Sequence, residues 1–198
     1  PMYYKSIVSF LKCFCKKCYR LLLSEQHIEI SGLSKIKGEK RFSKILESLE
    51  KIDICTHCSS PQPKVMFKPK DMNITMEYKH RKGDGKISII LNVEEIKSIF
   101  DNISDDDIRN IGFNPERTHP KNLILTVLPV IPPCSRPYVV ADGNTCDDDI
   151  TYQYLEILKI CLQLSPPEGA PVKQVNRQKL IQSLKFRIAT TFDNSKGK

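Results

Sequence analysis

The sequence predicts an α+β fold, in which a metal-stapled head with short helices and a small antiparallel sheet precedes an antiparallel helical hairpin. Three observations predict this fold. Two Cys-x-x-Cys pairs occur in the first third of the chain, short runs of alternating apolar and polar residues follow, and two segments with narrow helical stripes of apolar residues lie near the C-terminus. A length of 198 residues allows one large domain or two small ones.

The cysteine pairs predict a structural zinc site with the four ligands Cys15, Cys18, Cys55 and Cys58. A Cys-x-x-Cys turn places two sulfurs on one side of a loop, and two such turns complete a tetrahedral shell with no open position for water. Two disulfides are disfavoured because no signal peptide is visible, whereas buried free thiols stay open as an alternative. His27 and His57 are not needed, since four sulfurs already complete the shell. The other cysteines are predicted to be core thiols: Cys13, Cys134, Cys146 and Cys161.

The charge of the chain is basic. The 31 Lys and Arg residues outnumber the 23 Asp and Glu residues and give a net charge of +8. Lysines are scattered along the chain, which favours cationic faces that meet an anionic polymer such as a nucleic acid, although a merely solvated surface is an equal alternative. No apolar run is long enough to cross a membrane, so no membrane partner is expected.

Helices are expected before each of the two cysteine pairs. Residues 7–11 form a short apolar stripe leading into the first pair. Residues 39–51 carry apolar side chains at positions i, i+3, i+4 and i+7 and predict a helix that delivers the second pair. The stretch between the pairs is longer than in a minimal zinc ribbon, so it is expected to be a structured insert.

Three short alternating runs predict an antiparallel meander over residues 65–67, 74–78 and 86–91, with a turn at Gly83-Asp84-Gly85. Asn92 and Ser104 then cap two helices. Three consecutive aspartates, residues 105–107, follow Ser104 and suggest a magnesium site. Successive side chains on a helix diverge by about 100°, however, so the three carboxylates cannot converge on one ion, and helix capping is the preferred interpretation. The same argument applies to residues 147–149.

Residues 123–130 form a nearly continuous apolar run, which predicts a strand buried on both faces. The prolines that follow predict an extended path over residues 131–137.

Two apolar stripes predict an antiparallel coiled-coil hairpin at the C-terminal end. Their members recur in alternating steps of four and three residues: Ile150, Tyr154, Ile157, Cys161 and Leu164 in the first, and Ile181, Leu184, Ile188 and Thr191 in the second. Residues 165–171 are rich in helix-breaking residues and long enough to reverse the chain. The predicted domains are 1–62 with the cysteine pairs and insert, 63–140 with the sheet and short helices, and 141–198 with the hairpin.

Residues 119–137, with the run Leu-Ile-Leu-Thr-Val-Leu-Pro-Val, resemble a segment of the largest subunit of multisubunit DNA-directed RNA polymerases. The resemblance continues in order along nearly the whole chain. It covers residues 14–22 around the first cysteine pair, 94–104, 111–113, 148–151 and 188–194. Two features depart from the family: the second cysteine pair is more compact than in eukaryotic subunits, and Asn122 stands at or near the place of the family's tryptophan.

The resemblance implies a fragment of the polymerase clamp, with a zinc-stapled clamp head and a projecting coiled coil. Such a segment holds template DNA and the RNA–DNA hybrid and contacts other subunits, especially the second-largest. The resemblance also implies that initiation and elongation factors dock on the coiled coil, for which the candidate residues are Lys173, Arg177, Lys185 and Arg187; a merely solvated surface is an equal alternative for these four. The family's catalytic Mg²⁺ is held by an Asp loop absent from this sequence, so nucleotidyl transfer and Mg²⁺ are expected only in the complete enzyme.

The main alternative function is a free-standing zinc-containing transcription regulator that binds nucleic acid or a protein partner. It accounts for the cysteines and the charge but not for the ordered polymerase-like segments. A start at Pro1 suggests a piece of a longer protein. An intracellular location is expected: a viral factory, virion or host cytoplasm for a viral enzyme, or the nucleus for a cellular eukaryotic one.

Overall fold

A computed structural model describes residues 3–69, 71–79, 85–141, 143–165 and 174–193. The chain divides by packing into two compact units. The N-terminal unit comprises Tyr3–Pro69 and Asn73–Thr126, and the C-terminal unit comprises Val127–Lys198 together with Pro1–Met2 and Lys70–Met72. The helices and small antiparallel sheets confirm the α+β class. None of the helices within the described ranges is both long and apolar enough to cross a membrane.

The first half of the N-terminal unit is helical. Its helices are α1 (Tyr4–Cys13), α2 (Glu25–Ile30), a 3-10 turn (Leu33–Lys35) and α3 (Gly38–Leu49). The α3 helix is amphipathic and buries Phe42, Ile45 and Leu49 on one face. The predicted helices before each cysteine pair are confirmed, and α2 and the 3-10 turn supply structure to the insert.

Three strands follow: β1 (Lys64–Lys68), β2 (Asn73–Lys79) and β3 (Lys86–Leu91). They pair antiparallel in the order β1-β2-β3, which confirms the predicted meander. Alternation places Val65, Ile74 and Met76 on the buried face of the sheet. That face lies towards α1, where the Tyr4 ring stacks on Phe67 with a centroid distance of 4.1 Å. The predicted turn at residues 83–85 lies mostly outside the described residues.

Short helices complete the N-terminal unit: α4 (Val93–Asp101), α5 (Asp105–Asn110), α6 (Pro115–Thr118) and a 3-10 turn (Pro120–Leu123). Both predicted caps are confirmed. The Glu95 carboxylate accepts a hydrogen bond from the Asn92 N–H at 2.8 Å, and the Ser104 hydroxyl accepts one from the Asp107 N–H at 3.2 Å. Gly112 follows α5 with φ of 100°, and a Cβ there would lie 2.9 Å from the Arg41 side chain, so only glycine fits without strain.

Aromatic side chains from distant parts of the sequence form the centre of this unit. The Phe42 ring lies 4.9 Å from Phe10 and 5.3 Å from Phe113, and Phe100 meets Phe10 edge-on at 6.4 Å. Fully buried aliphatic side chains surround them: Leu11, Leu21, Ile45, Ile108 and Ile111. The burial of these side chains joins α1, α3, α4 and α5 into one core.

The predicted buried strand at residues 123–130 is wrong. Leu123 ends a 3-10 turn, and the chain beyond it is irregular. Leu125 is 54% exposed and Val127 is 76% exposed. A buried strand needs neighbouring strands, and none of those described in the structure pairs with this run. The extended path predicted for residues 131–137 is also interrupted, by a 3-10 turn at Pro133–Ser135.

The C-terminal unit contains a two-stranded antiparallel sheet and two long helices: β4 (Val139–Ala141), β5 (Asn144–Cys146), α7 (Asp149–Leu164) and α8 (Gln174–Phe192). The Asp148 side chain caps α7 by accepting from the Ile150 N–H at 2.9 Å. Arg136 attaches the proline-rich segment to α7, because its guanidinium donates to the Thr151 hydroxyl at 2.8 Å and lies over the Tyr154 ring.

The two long helices pack antiparallel. Glu156, in the middle of α7, meets Arg187 near the end of α8, whereas Gln163 near the end of α7 lines the same surface pocket as Leu180 in the first half of α8. The predicted seam is shifted in part: Ile157 is buried as expected, but Ile160 is buried in place of Cys161. Of the predicted core thiols, Cys13 is buried, whereas Cys134, Cys146 and Cys161 are exposed, so the prediction is wrong for those three. The predicted reversing loop, residues 165–171, lies almost entirely outside the described residues.

Candidate metal centre

Each cysteine pair lies in a short loop, or knuckle: Cys15 and Cys18 in the first, Cys55 and Cys58 in the second. The two knuckles have the same backbone geometry. In the first knuckle, the Cys15 N–H donates to the Arg20 carbonyl at 2.9 Å, and the Tyr19 N–H donates to the Cys15 carbonyl at 3.0 Å. A single antiparallel bridge between Phe14 and Leu21 closes the base of the loop. The short loop therefore has its backbone groups paired although it belongs to no sheet.

The second knuckle repeats every one of these features. The Cys55 N–H donates to the Ser60 carbonyl at 2.9 Å, the Ser59 N–H donates to the Cys55 carbonyl at 3.0 Å, and Ile54 bridges Pro61. The residue after the second cysteine is left-handed in both knuckles, with φ of 61° at Tyr19 and 53° at Ser59. A left-handed non-glycine residue costs about 1 kcal/mol, so the same strained turn in two places indicates a shared requirement of the loop.

The four sulfur atoms converge on one point between the knuckles. All lie within 4.8 Å of one another, and two of the sulfur pairs join the two knuckles: Cys15 to Cys58 at 3.5 Å and Cys18 to Cys55 at 3.7 Å. A tetrahedral ion with Zn–S bonds of about 2.3 Å requires sulfur–sulfur edges of about 3.8 Å. The donor set and its spacing therefore fit a structural zinc ion. The four thiols are free, which removes the disulfide alternative from this structure.

Backbone N–H groups point at each sulfur in the same pattern in both knuckles. Cys15 accepts from Lys17 and Cys18, Cys55 accepts from His57 and Cys58, Cys18 accepts from Arg20, and Cys58 accepts from Ser60. Hydrogen bonds to sulfur stabilise the thiolate, which is the form that binds metal.

The thiols of the cluster differ in their pKa values. Burial raises the pKa of the Cys15 thiol, but hydrogen bonds from Ser60 and from backbone N–H groups outweigh it and bring the pKa to about 6. Burial and the neighbouring sulfurs raise the pKa of Cys18 to about 12. Metal binding must therefore release protons, and the affinity for metal is expected to fall as the pH is lowered.

Polar side chains around the sulfurs were missed by the sequence-based prediction. The Ser60 hydroxyl lies 3.0 Å from the Cys58 sulfur, and the Gln62 amide nitrogen lies 3.3 Å from the Cys15 sulfur. His57 is not a ligand, because its ring contacts the Leu21 carbonyl at 3.2 Å. The only signal for these contacts in the sequence was the presence of two polar residues, Ser60 and Gln62, shortly after the second cysteine pair. Their spacing alone does not reveal that they reach the other knuckle.

The basic residues predicted to bind partners do not form one described cluster. Lys173 lies outside the described residues. Arg177 is exposed near the start of α8, whereas Lys185 is half-buried and burial lowers its pKa. The Arg187 guanidinium lies 3.6 Å from the Glu156 carboxylate. Because a helix rises about 1.5 Å per residue, Arg177 and Arg187 are separated by about 15 Å along α8.

The fold and the four-sulfur cluster define an α+β protein with a candidate structural metal centre. The family model "RNA polymerase Rpb1, domain 1" matches residues 2–198. The chain therefore belongs to this family and corresponds to the N-terminal region of the largest subunit of DNA-directed RNA polymerase. The resemblance found in the sequence is confirmed.

Relatives from a virus, an archaeon and a eukaryote support the assignment. The chain is 37% identical over 171 residues to the probable DNA-directed RNA polymerase II subunit RPB1 homolog of Invertebrate iridescent virus 6, covering 80% of this chain and 16% of that protein. It is 31% identical over 202 residues to subunit Rpo1N of Sulfolobus acidocaldarius, covering 97% and 22%. It is 27% identical over 221 residues to RPB1-B of Trypanosoma brucei brucei, covering 96% and 12%. The chain thus spans less than a quarter of the length of these relatives.

Proposed function

We propose that the chain is the clamp segment of a DNA-directed RNA polymerase and that Cys15, Cys18, Cys55 and Cys58 bind a structural Zn²⁺ in it. The observation that carries this proposal is the convergence of four sulfurs from two distant knuckles in a member of the Rpb1 domain 1 family. Four thiolates leave no open coordination position, so the ion supplies cross-linking and no catalysis.

The cross-link would act on the helices that precede the knuckles. Cys15 directly follows α1, and Cys55 lies a short turn beyond α3. These two helices already pack through Phe10 and Phe42. Holding the knuckles together would also fix the C-terminal ends of α1 and α3 relative to each other. The expected result is a head that moves as a rigid body over the DNA-binding cleft, as in hinged closure of domains.

Nucleic acid would be held through its phosphates. The net charge of +8 favours association with DNA and with the RNA–DNA hybrid. Contacts of lysine and arginine with phosphates position a nucleic acid without selecting its sequence, which suits an enzyme that transcribes any template. Other polymerase subunits, especially the second-largest, would complete the cleft.

The antiparallel α7–α8 pair would be the coiled coil on which initiation or elongation factors dock, through Lys173, Arg177, Lys185 and Arg187. In this proposal the head covers residues 1–62 and 63–140, and the coiled coil covers residues 141–198. Nucleotidyl transfer and its Mg²⁺ would belong to the complete enzyme. Its compartment would be intracellular: a viral factory, virion or host cytoplasm for a viral enzyme, or the nucleus for a cellular one.

A complete polymerase carrying both Cys15→Ser and Cys58→Ser tests the proposal. We expect the loss of one zinc ion per enzyme and a shorter lifetime of the open promoter complex. The matched control is Cys134→Ser with Cys161→Ser, because both thiols are exposed and far from the knuckles in sequence. Unchanged metal content and open-complex lifetime in the first variant would disprove the structural role. Activity of the isolated chain on a promoter, without other subunits, would instead favour the regulator.

A further inference from the structure

The side chain of Gln62 belongs to the second knuckle but contacts the first. Its amide nitrogen donates to the Cys15 sulfur at 3.3 Å, and its amide oxygen accepts from the Lys16 N–H at 3.4 Å. The Gln62 backbone is fixed at the same time, because its N–H donates to the Asp53 carbonyl at 2.8 Å. One anchored residue therefore connects the exit of the second knuckle to the metal-facing loop of the first.

The same amide also orients Ser60. The Gln62 amide nitrogen lies 3.1 Å from the Ser60 hydroxyl and 3.0 Å from the Ser60 carbonyl. A hydroxyl that accepts from an amide has its own hydrogen left to donate. Here the acceptors within reach are the sulfurs of Cys58 at 3.0 Å and Cys15 at 3.4 Å. Two cysteines from different knuckles thus share one hydroxyl, which Gln62 holds in place.

These side-chain contacts break the symmetry of the two knuckles. Backbone N–H groups serve the sulfurs of the two knuckles in the same pattern, but the side chains of Ser60 and Gln62 reach only Cys15 and Cys58. Within the described part of the chain, the side chains that hydrogen-bond to the sulfurs of Cys18 and Cys55 are those of other cysteines. The extra donors therefore lie along the sulfur–sulfur edge that joins the knuckles.

We infer that Gln62 is a positioning residue that aligns the two knuckles and preforms the four-sulfur site for its metal. This inference rests on the proposed zinc site. Hydrogen bonds from Gln62 and Ser60 offset the repulsion between the Cys15 and Cys58 thiolates, which lie 3.5 Å apart. Outer hydrogen-bond partners of this kind typically change metal affinity by about 10–100-fold when they are removed.

The test titrates the full chain with Co²⁺ and then displaces it with Zn²⁺ in the presence of a competing chelator. The variants are Gln62→Ala and Ser60→Ala, and the matched control is Gln178→Ala, an exposed glutamine on α8. We expect Gln62→Ala to weaken metal binding about 10–100-fold. Ser60→Ala should weaken it less, and Gln178→Ala should leave it unchanged.

A spectroscopic signature separates positioning from packing. Loss of a hydrogen bond to sulfur makes the thiolate a stronger electron donor, so the thiolate-to-cobalt charge-transfer band should move to lower energy in Gln62→Ala, while the bands of tetrahedral Co²⁺ are retained. If this variant does not fold, Gln62→Glu decides the question, because it keeps the shape but replaces the donating amide with a carboxylate. We expect it to bind metal at least as weakly as Gln62→Ala.

Unchanged affinity and an unshifted band in Gln62→Ala would overturn the inference while leaving the zinc site in place. Failure of the unmodified chain to bind either metal would overturn the zinc site and this inference with it.

Discussion

The two units of the protein differ in how they bury apolar surface. The N-terminal unit encloses a cluster of phenylalanine rings and a set of completely buried aliphatic side chains. Within the described part of the C-terminal unit, few apolar residues are buried, among them Ile157, Ile160 and Ala189, while Leu155, Leu158 and Leu162 are exposed along α7. Buried area is the main source of stability, so the first unit can hold its own fold whereas the second depends on a thin contact between helices.

The difference also separates two kinds of function. The N-terminal unit combines a closed core with a site that needs exact spacing of four sulfurs, and a rigid scaffold supports such spacing. The C-terminal unit exposes large apolar side chains along α7, which are typical of surfaces covered by another protein, although β3 of the N-terminal unit also exposes Ile87, Ile89 and Ile90. In the proposed polymerase, the first unit would supply stiffness and the second would supply contact surface.

Metal removal should have the largest effect and should act on one unit only. Chelation of the full chain at neutral pH, or the Cys15→Ser and Cys58→Ser pair, should unfold the knuckles, because metal-binding free energy in such sites is about 10 kcal/mol or more. We expect faster amide hydrogen exchange in α1 and α3 and unchanged exchange in α7 and α8. Equal loss of protection against exchange in both units would show that the metal does not stabilise the N-terminal unit alone.

Core truncation should give the next largest effect and should follow the same division. Phe100→Ala removes a fully buried ring and should lower the free energy of unfolding by about 3–5 kcal/mol. Leu158→Ala, at a side chain that is 55% exposed, should change it by less than about 0.5 kcal/mol.

Ile157→Ala is the matched control on the same helix, because Ile157 is only 6% exposed, and it should fall between these values at about 2 kcal/mol. Urea unfolding of the three variants measures these differences. A larger loss of unfolding free energy for Leu158→Ala than for Ile157→Ala would show that α7 packs through the face that carries Leu158 and not the face that carries Ile157.

Much of the N-terminal unit could be predicted from sequence because its signals are local. A Cys-x-x-Cys turn, an alternating strand and a capped helix each depend on residues within one or two turns of one another. The caps at Asn92 and Ser104 and the three-stranded meander were therefore predicted with nearly correct bounds. The spacing of the two cysteine pairs was enough to predict that their sulfurs would meet.

The failures occur where a pattern does not reveal what packs against it. The apolar run at residues 123–130 has the composition of a buried strand, but a strand is defined by neighbours that the run itself does not specify. On α7, steps of three and four residues both keep a side chain near one face, so Cys161 and Ile160 were equally compatible with the stripe. Gln62 was missed because its partners, Cys15 and Lys16, lie far away in sequence.

The smallest expected effect concerns the two ion pairs of Glu156, one with Lys159 within α7 and one with Arg187 of α8. The Glu156 carboxylate accepts a hydrogen bond from Lys159 at 2.9 Å, and Arg187 lies 3.6 Å away. The hydrogen bond from Lys159, with the charges of Lys159 and Arg187, lowers the pKa of Glu156 below its ordinary value of 4.5. A lowered pKa means that the carboxylate stabilises the folded state above pH 4.5 and that this contribution is lost as the pH falls through the lower, folded-state pKa.

Carboxyl NMR titration of Glu156 checks this directly, and Lys159→Ala should raise its pKa more than Arg187→Ala does, because the hydrogen-bonded partner is closer. The Lys159 side chain is 66% exposed, so high salt should screen its pair with Glu156 and bring the pKa of Glu156 back towards its ordinary value. A pKa that does not respond to salt or to Arg187→Ala would show that the ion pair with Arg187 does not hold α7 to α8. Stability of the described part of the C-terminal unit would then rest on its apolar contacts, among them those of Ile157, Ile160 and Ala189.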